Sequence, residues 1–120
     1  MSKPRNVGAE VDAVTILRIK ADRLTGAKRE MVKRELIDRD FLALWGVPLD
    51  LADKLTRINV ELWDLEDDIR ARQVECRFDA AYHAVSCQIS RLNDERAAIK
   101  RQINEICGSE LREVKSHANA

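Results

Sequence analysis

The stretch LADKLTRINVELWDLEDDI, residues 51–69, decides the fold. Its aliphatic residues Leu51, Leu55, Ile58, Leu62, Leu65 and Ile69 follow one another in alternating steps of four and three. That spacing keeps all six on one side of an α-helix, as in the seam of a coiled coil, whereas a strand would show alternation at every second residue. The seam would continue through Arg72 and Cys76 until Phe78 and Asp79 interrupt it. Asp79 is a capping residue type, and after it comes a second seam of Tyr82, Val85, Ile89, Leu92, Arg96, Ile99, Ile103 and Ile106, ended by Gly108. Two helices of about 26 and 28 residues would be rods near 40 Å long. The short connection between them forces an antiparallel hairpin.

Working back towards the start, Asp50 stands where an N-cap for the third helix belongs, after the stop formed by Gly46 and Pro48. That stop closes a second helix whose candidates for burial are Ala27, Met31, Val32, Leu36, Ile37, Phe41, Leu44 and Trp45. A first helix is marked by Val11, Val14, Leu17, Ala21 and Leu24 in steps of three and four, with Ile16 and Ile19 widening the stripe. It ends near Thr25 and Gly26, where a turn is favoured over a kinked continuation. The expected organisation is a flexible leader over residues 1–10, one helical domain over 11–108 and a polar tail over 109–120.

Composition agrees with a single small domain. In 120 residues, 45% are hydrophobic and 35% charged, which suits amphipathic helices and is too apolar for a disordered chain. Only four Gly and two Pro are present, too few for the turns of a many-stranded β protein. Twenty-one basic residues cancel twenty-one acidic ones, leaving no net field to steer the chain towards nucleic acid or an anionic membrane. The charges are unevenly placed: residues 46–75 carry eight acids against four bases, and residues 1–45 ten bases against seven acids. Docking of the acidic third helix on its neighbours is the simplest use of that imbalance. The opening residues lack the apolar core of a signal peptide, and no apolar run approaches the roughly 18 residues of a membrane span. Cys76, Cys87 and Cys107 are an odd number without a CxxC pair, so reduced thiols and a cytoplasmic location are expected.

Several constellations carry possible chemistry. Glu61, Asp64 and Asp68 share one flank of the third helix, and Glu66 and Asp67 enlarge the acidic run. Clustered carboxylates can hold a cation or move protons, yet a solvated helix flank has the same pattern. Arg96 is the more informative residue, because aliphatic seam positions stand on both sides of it. The antiparallel register sets it against Ile58 to Leu62, with Glu61 as its nearest acid and Glu95 beside it. A charge in a dry seam must be paired, so a Glu61, Arg96, Glu95 cluster is expected at mid-bundle. Such a cluster either fixes register and partner choice or marks a wet cavity for an anionic group. Arg72, nearer the helix end, is expected to snorkel. His83 and Cys87 stand four apart with Cys76 nearby, but the regular spacing of a zinc site is missing, so no metal and no cofactor are expected. Lys28, Arg29, Lys33 and Arg34 form a basic stripe interleaved with Glu30, Glu35 and Asp38 in a chain with only five aromatics, which argues against nucleic-acid binding. Neither a Gly-rich phosphate loop, a nucleophile elbow nor an HExxH occurs.

Three strings read together resemble a bacterial family of small helical proteins known as a domain of unknown function. They are AVTILRIKADRLTG from Ala13, LWDLEDDIR from Leu62 and RLNDERAAIKRQINEICGSELREVKS from Arg91, and the resemblance spans residues 7–116. It picks out Asp12, Thr15, Lys20, Trp63, Asp64, Glu66, Asp67, Asp68, Arg70, Asn93, Asp94, Arg96, Lys100, Asn104, Gly108 and Lys115 as the polar and marker positions shared with the family. Ala13 stands where the family pattern has Lys, and Arg18 where it has Glu, so the charge of helix one departs from the pattern. Family members are encoded with, or fused to, lipopolysaccharide and glycosyltransferase functions, and the resemblance implies a role beside cell-surface glycan assembly.

The expected fold is an all-α antiparallel bundle in which a long C-terminal hairpin packs on two shorter N-terminal helices. The expected role is a non-enzymatic interaction or assembly module, a homo-oligomer with a glycosyltransferase or other polysaccharide-assembly protein as further partner. The alternative is a sugar-phosphate or nucleotide-sugar site, catalytic or not, lined by Lys20, Asp64, Asp68, Asn93, Arg96 and Lys100. Glu61 and Glu95 complete the candidate set for ligand or partner binding.

Overall fold

The computed structural model describes residues 3–39 and 45–108, and these form four helices and no strand. They are α1 (Val7–Arg23), α2 (Gly26–Arg39), α3 (Leu49–Val74) and α4 (Ala80–Cys107). The protein is thus an all-α bundle built around a long C-terminal hairpin. Phe41, Leu44, Lys115 and His117 lie outside the described residues.

Local capping accounts for the start of α1 and both ends of α4. The Asn6 side chain accepts a hydrogen bond from the Ala9 amide at 2.9 Å, so α1 begins at Val7 and not at Val11. Val7 and Gly8 are buried, which makes residues 7–10 part of the bundle and shortens the expected leader. Leu24 is extended and Gly26 has φ of 65°, so α1 and α2 are separate helices joined by a turn. α3 starts directly after Pro48, two residues ahead of the expected position, and Asp50 lies within its first turn, where a carboxylate favours the positive end of the helix dipole. Asp79 caps α4 as its sequence position suggests, accepting from the Tyr82 amide at 3.0 Å. Gly108 closes α4 in the left-handed conformation, and Lys3 Nζ donates to the terminal carbonyl of Cys107 at 2.6 Å.

α1 lies in the groove of the α3–α4 hairpin, antiparallel to α4. The core joins Val7 and Val11 to Leu51, Leu55, Ile58 and Leu62 of α3 and Leu92, Ile99 and Ile103 of α4, with Trp45 at its edge. Gly8 sets the closeness of this packing: a Cβ there would stand 2.4 Å from the Lys100 carbonyl oxygen. Only a residue without a side chain lets the two backbones approach so far.

Two parts of the hairpin and of α2 stay outside this core. α1 has 17 residues against 26 in α3, so it runs out near Asp64, where Arg23 meets it. Beyond that point the hairpin continues as a two-helix arm, and no residue from Trp63 to Arg91 is buried. Leu65, Ile69, Tyr82, Val85 and Ile89 keep the expected seam but are only half-buried, and Ile106 at the other end of the seam is 59% exposed. Arg72 adopts a seam position and turns its guanidinium to Asp68 and Asp79. Among the described helices α2 packs substantially on α1 alone, and Ala27, Met31 and Ile37 are exposed where burial is expected. A helix with a single partner needs only one apolar flank, here Val32 and Leu36. The molecule is accordingly flat, 22 Å in its thinnest dimension.

Candidate functional site

The densest buried polar constellation centres on Asp12 of α1. Its carboxylate accepts Arg96 Nε on Oδ1 at 2.9 Å and Arg96 Nη2 on Oδ2 at 2.6 Å, a two-pronged ion pair from α4. Lys100 Nζ, one turn further along α4, is 3.9 Å from Oδ2. Asn59 of α3 donates through Nδ2 to Asp12 Oδ1 at 2.9 Å and to Thr15 Oγ1 at 2.8 Å. The Thr15 hydroxyl in turn donates a hydrogen bond to the Asp12 carbonyl at 2.7 Å. Asp12, Thr15 and Asn59 are all buried, so one carboxylate ties three helices together inside the bundle. Desolvating it is offset by the paired guanidinium and the amide.

A second polar contact secures the start of α1. Asn104 is fully buried; its Oδ1 accepts from the Gly8 amide at 2.7 Å, and its Nδ2 donates to Asn6 Oδ1 at 3.0 Å. The Asn6 oxygen therefore serves both the cap and α4. On the far side of α1, Arg39 grips Glu10 through Nε and Nη2 at 2.9 and 3.2 Å and also reaches Glu35. The hydrogen bond that Arg39 donates to Glu10 raises the Arg39 pKa above its ordinary value, and the one that Arg23 donates to Asp64 does the same for Arg23.

This arrangement corrects the expected Glu61, Arg96, Glu95 cluster. Arg96 turns to the flank of α4 that faces α1 and takes Asp12, an acid that lies outside the hairpin altogether. Glu61 instead accepts from Gln88 Nε2 at 3.4 Å, and with Glu95 it lines a groove on the opposite face of the hairpin above Ile58, Leu92 and Ile99. The remaining candidates are dispersed. Asp64 pairs with Arg23 and Asp68 with Arg72, while Lys20 lines a separate groove with Trp63. Asn93, Arg96 and Lys100 do come together, around a pocket of about 260 Å³.

Asn59 is the participant that sequence reasoning missed. It follows the seam residue Ile58, and on a helix inside a bundle that neighbouring position faces the next helix over. Cys87 Sγ lies 3.5 Å from His83 Nε2 on the arm, and among the described residues no three His, Cys, Asp or Glu side chains form a group that could hold a metal ion. Among the same residues no helix is long and apolar enough to cross a membrane. Burial raises the Cys107 thiol pKa. No family model, curated protein or solved structure matches the chain.

Proposed function

We propose that this chain is a non-catalytic assembly module that joins to a second copy of itself through the arm of the α3–α4 hairpin. The observation that supports this reading is the unfinished burial of residues 63–91, where among the described residues a regular aliphatic seam has two helices around it and lacks the third that completes the body. Helices draw most of their stability from packing an apolar flank, and a pair of them leaves much of that flank wet. A second arm laid alongside would cover it by a self-complementary contact. The polar cluster at Asp12 fits the same role, since its groups are spent on holding α1, α3 and α4 in register.

Sedimentation equilibrium tests the proposal directly. The expected mass exceeds the 13.7 kDa of one chain, and Ile69→Asp with Val85→Asp returns it to the monomer value with helicity retained. A wild-type chain that stays monomeric at the highest attainable concentration overturns the proposal. The setting drawn from the family resemblance, assembly of cell-surface glycan enzymes with a glycosyltransferase as partner, belongs to the same proposal; co-purification of that enzyme with a tagged chain is its check.

One observation favours a second reading, a small-molecule site: Arg96, Lys100 and Asn93 line one pocket. An anionic sugar phosphate there would compete with Asp12 for both cations. Binding would raise the melting temperature of the wild type and not of Arg96→Met, and an absence of any shift with nucleotide sugars or phosphates dismisses it.

A further inference from the structure

The opposed charges of α2 and α3 are spent only in part within the chain: Arg23 holds Asp64, Arg70 holds Asp67 and Arg72 holds Asp68, and on α2 Arg39 is held by Glu10 and Glu35. From Glu61 to its end α3 carries five acids and two bases, and α2 carries five bases and three acids. Both helices pack on α1, but they make no substantial contact with each other. A groove of about 430 Å³ remains over the C-terminal half of α1, walled by Lys28, Met31 and Val32 of α2 and Trp63 of α3, with Lys20 and Leu24 of α1 completing it. Met31 is 68% exposed. Lys20 and Lys28 enter no ion pair among the described residues, whereas their neighbours Arg23 and Arg39 are both held by carboxylates. Glu35, the one acid lining the groove, is engaged by Arg39. The groove is thus apolar with two uncompensated cations, and its complement is an acidic helix with an apolar edge.

We propose that a second copy of this chain supplies that helix, laying residues 61–68 of its α3 against α2 about a two-fold axis. Glu66 and Asp67 are exposed on that segment and share a helix face with the half-buried Trp63, which supplies the apolar edge; Asp67 also meets Arg70, and Glu66 enters no ion pair among the described residues. Two-fold symmetry forms both α2–α3 contacts at once, each copy giving an acidic helix and receiving one. The inference rests on the self-association proposed above and adds the receiving surface and the charge pairing that orients it.

Charge reversal separates the two. Lys20→Glu with Lys28→Glu sets acid against acid in both contacts of its dimer, and Glu66→Lys with Asp67→Lys sets base against base. Each variant alone should dimerise at least about tenfold more weakly than wild type in sedimentation equilibrium, with an unchanged circular dichroism spectrum. An equimolar mixture should recover near wild-type affinity, because both contacts of the mixed dimer pair opposite charges. Variants as tight as wild type, or a loss that mixing does not repair, overturn this inference while leaving the arm as the contact. Dimers that withstand Ile69→Asp with Val85→Asp but yield to charge reversal keep the groove and discard the arm. A monomeric wild type removes both.

Discussion

The two halves of the α3–α4 hairpin carry the same aliphatic rhythm and reach different states. In the body, Leu55 and Ile103 are fully buried and Leu62 and Leu92 nearly so, because α1 lies across them. In the arm, Leu65, Ile69, Val85 and Ile89 occupy equivalent seam positions and stay half-exposed, because α1 has ended. Periodicity places a side chain on the inner edge of a helix; a third helix is what removes it from water. The buried polar groups follow the same division. Asp12, Thr15, Asn59 and Asn104 all lie where α1 covers the hairpin, and the arm relies on exposed ion pairs such as Asp67 with Arg70. Exposed pairs of that kind contribute little, so stability should be concentrated in the body.

Equivalent truncations at the two ends of the seam test this contrast most strongly. Leu55→Ala should cost about 4 kcal/mol in urea unfolding and Ile69→Ala about 1 kcal/mol when the chain is dilute enough to be monomeric. Equal losses would mean that the arm is as well packed as the body. Next in size is Gly8→Ala, whose new methyl group presses on the Lys100 backbone and must push α1 away from the hairpin. A loss of about 3 kcal/mol is expected, with faster amide exchange in α1 as the local readout.

Arg96→Met should cost about 2 to 3 kcal/mol by leaving Asp12 poorly paired. Adding Asp12→Leu should restore part of that loss, since an apolar pair of similar volume has no charge to desolvate; a double variant worse than the sum of the singles would contradict the proposed balance. At the arm the effects shrink. The Tyr82 amide holds the Asp79 carboxyl pKa below its ordinary value, so the cap stabilises the fold above the unfolded-state pKa of an aspartate. Its contribution fades as the pH falls through the lowered folded pKa. Asp79→Ala should therefore lower the melting temperature at neutral pH, and the gap from wild type should close in acid. Smallest of all, Cys76 sits at the hairpin tip with φ of 55°, and Cys76→Gly should stabilise by about 0.5 kcal/mol in the same melting experiment.

Particular residues show what could be read in advance. Asp79 and Gly108 were recognisable as helix ends because a cap acts on amides and carbonyls within its own turn. Asn6 is an equally good cap, but the regular apolar stripe starts only at Val11, so the buried Val7 and Gly8 fall within the expected leader. Met31 and Ile37 show the opposite limit: their spacing suits burial, yet among the described helices α2 packs substantially on α1 alone, so a full stripe is more than that contact covers. Arg96 stands among aliphatic seam positions, and a charge there calls for a partner. Its partner could not be named from the hairpin register, since a two-helix register offers only acids of α3 and α4. Asp12, Thr15 and Asn104 stand among the positions picked out by the family resemblance, while their clustering depends on a helix more than eighty residues away from Arg96 in sequence.

What the sequence determined by itself was the set of rods: the helical period, the turn between the long pair and most of the points where backbone groups must be capped. Those features depend on forces that act over one or two helical turns, so a local stretch of residues is enough to specify them. Tertiary structure alone decided which part of the seam became dry and which carboxylate met the guanidinium. Both were settled by where a shorter helix came to lie across the hairpin, a contact between residues far apart in the chain and close only after folding.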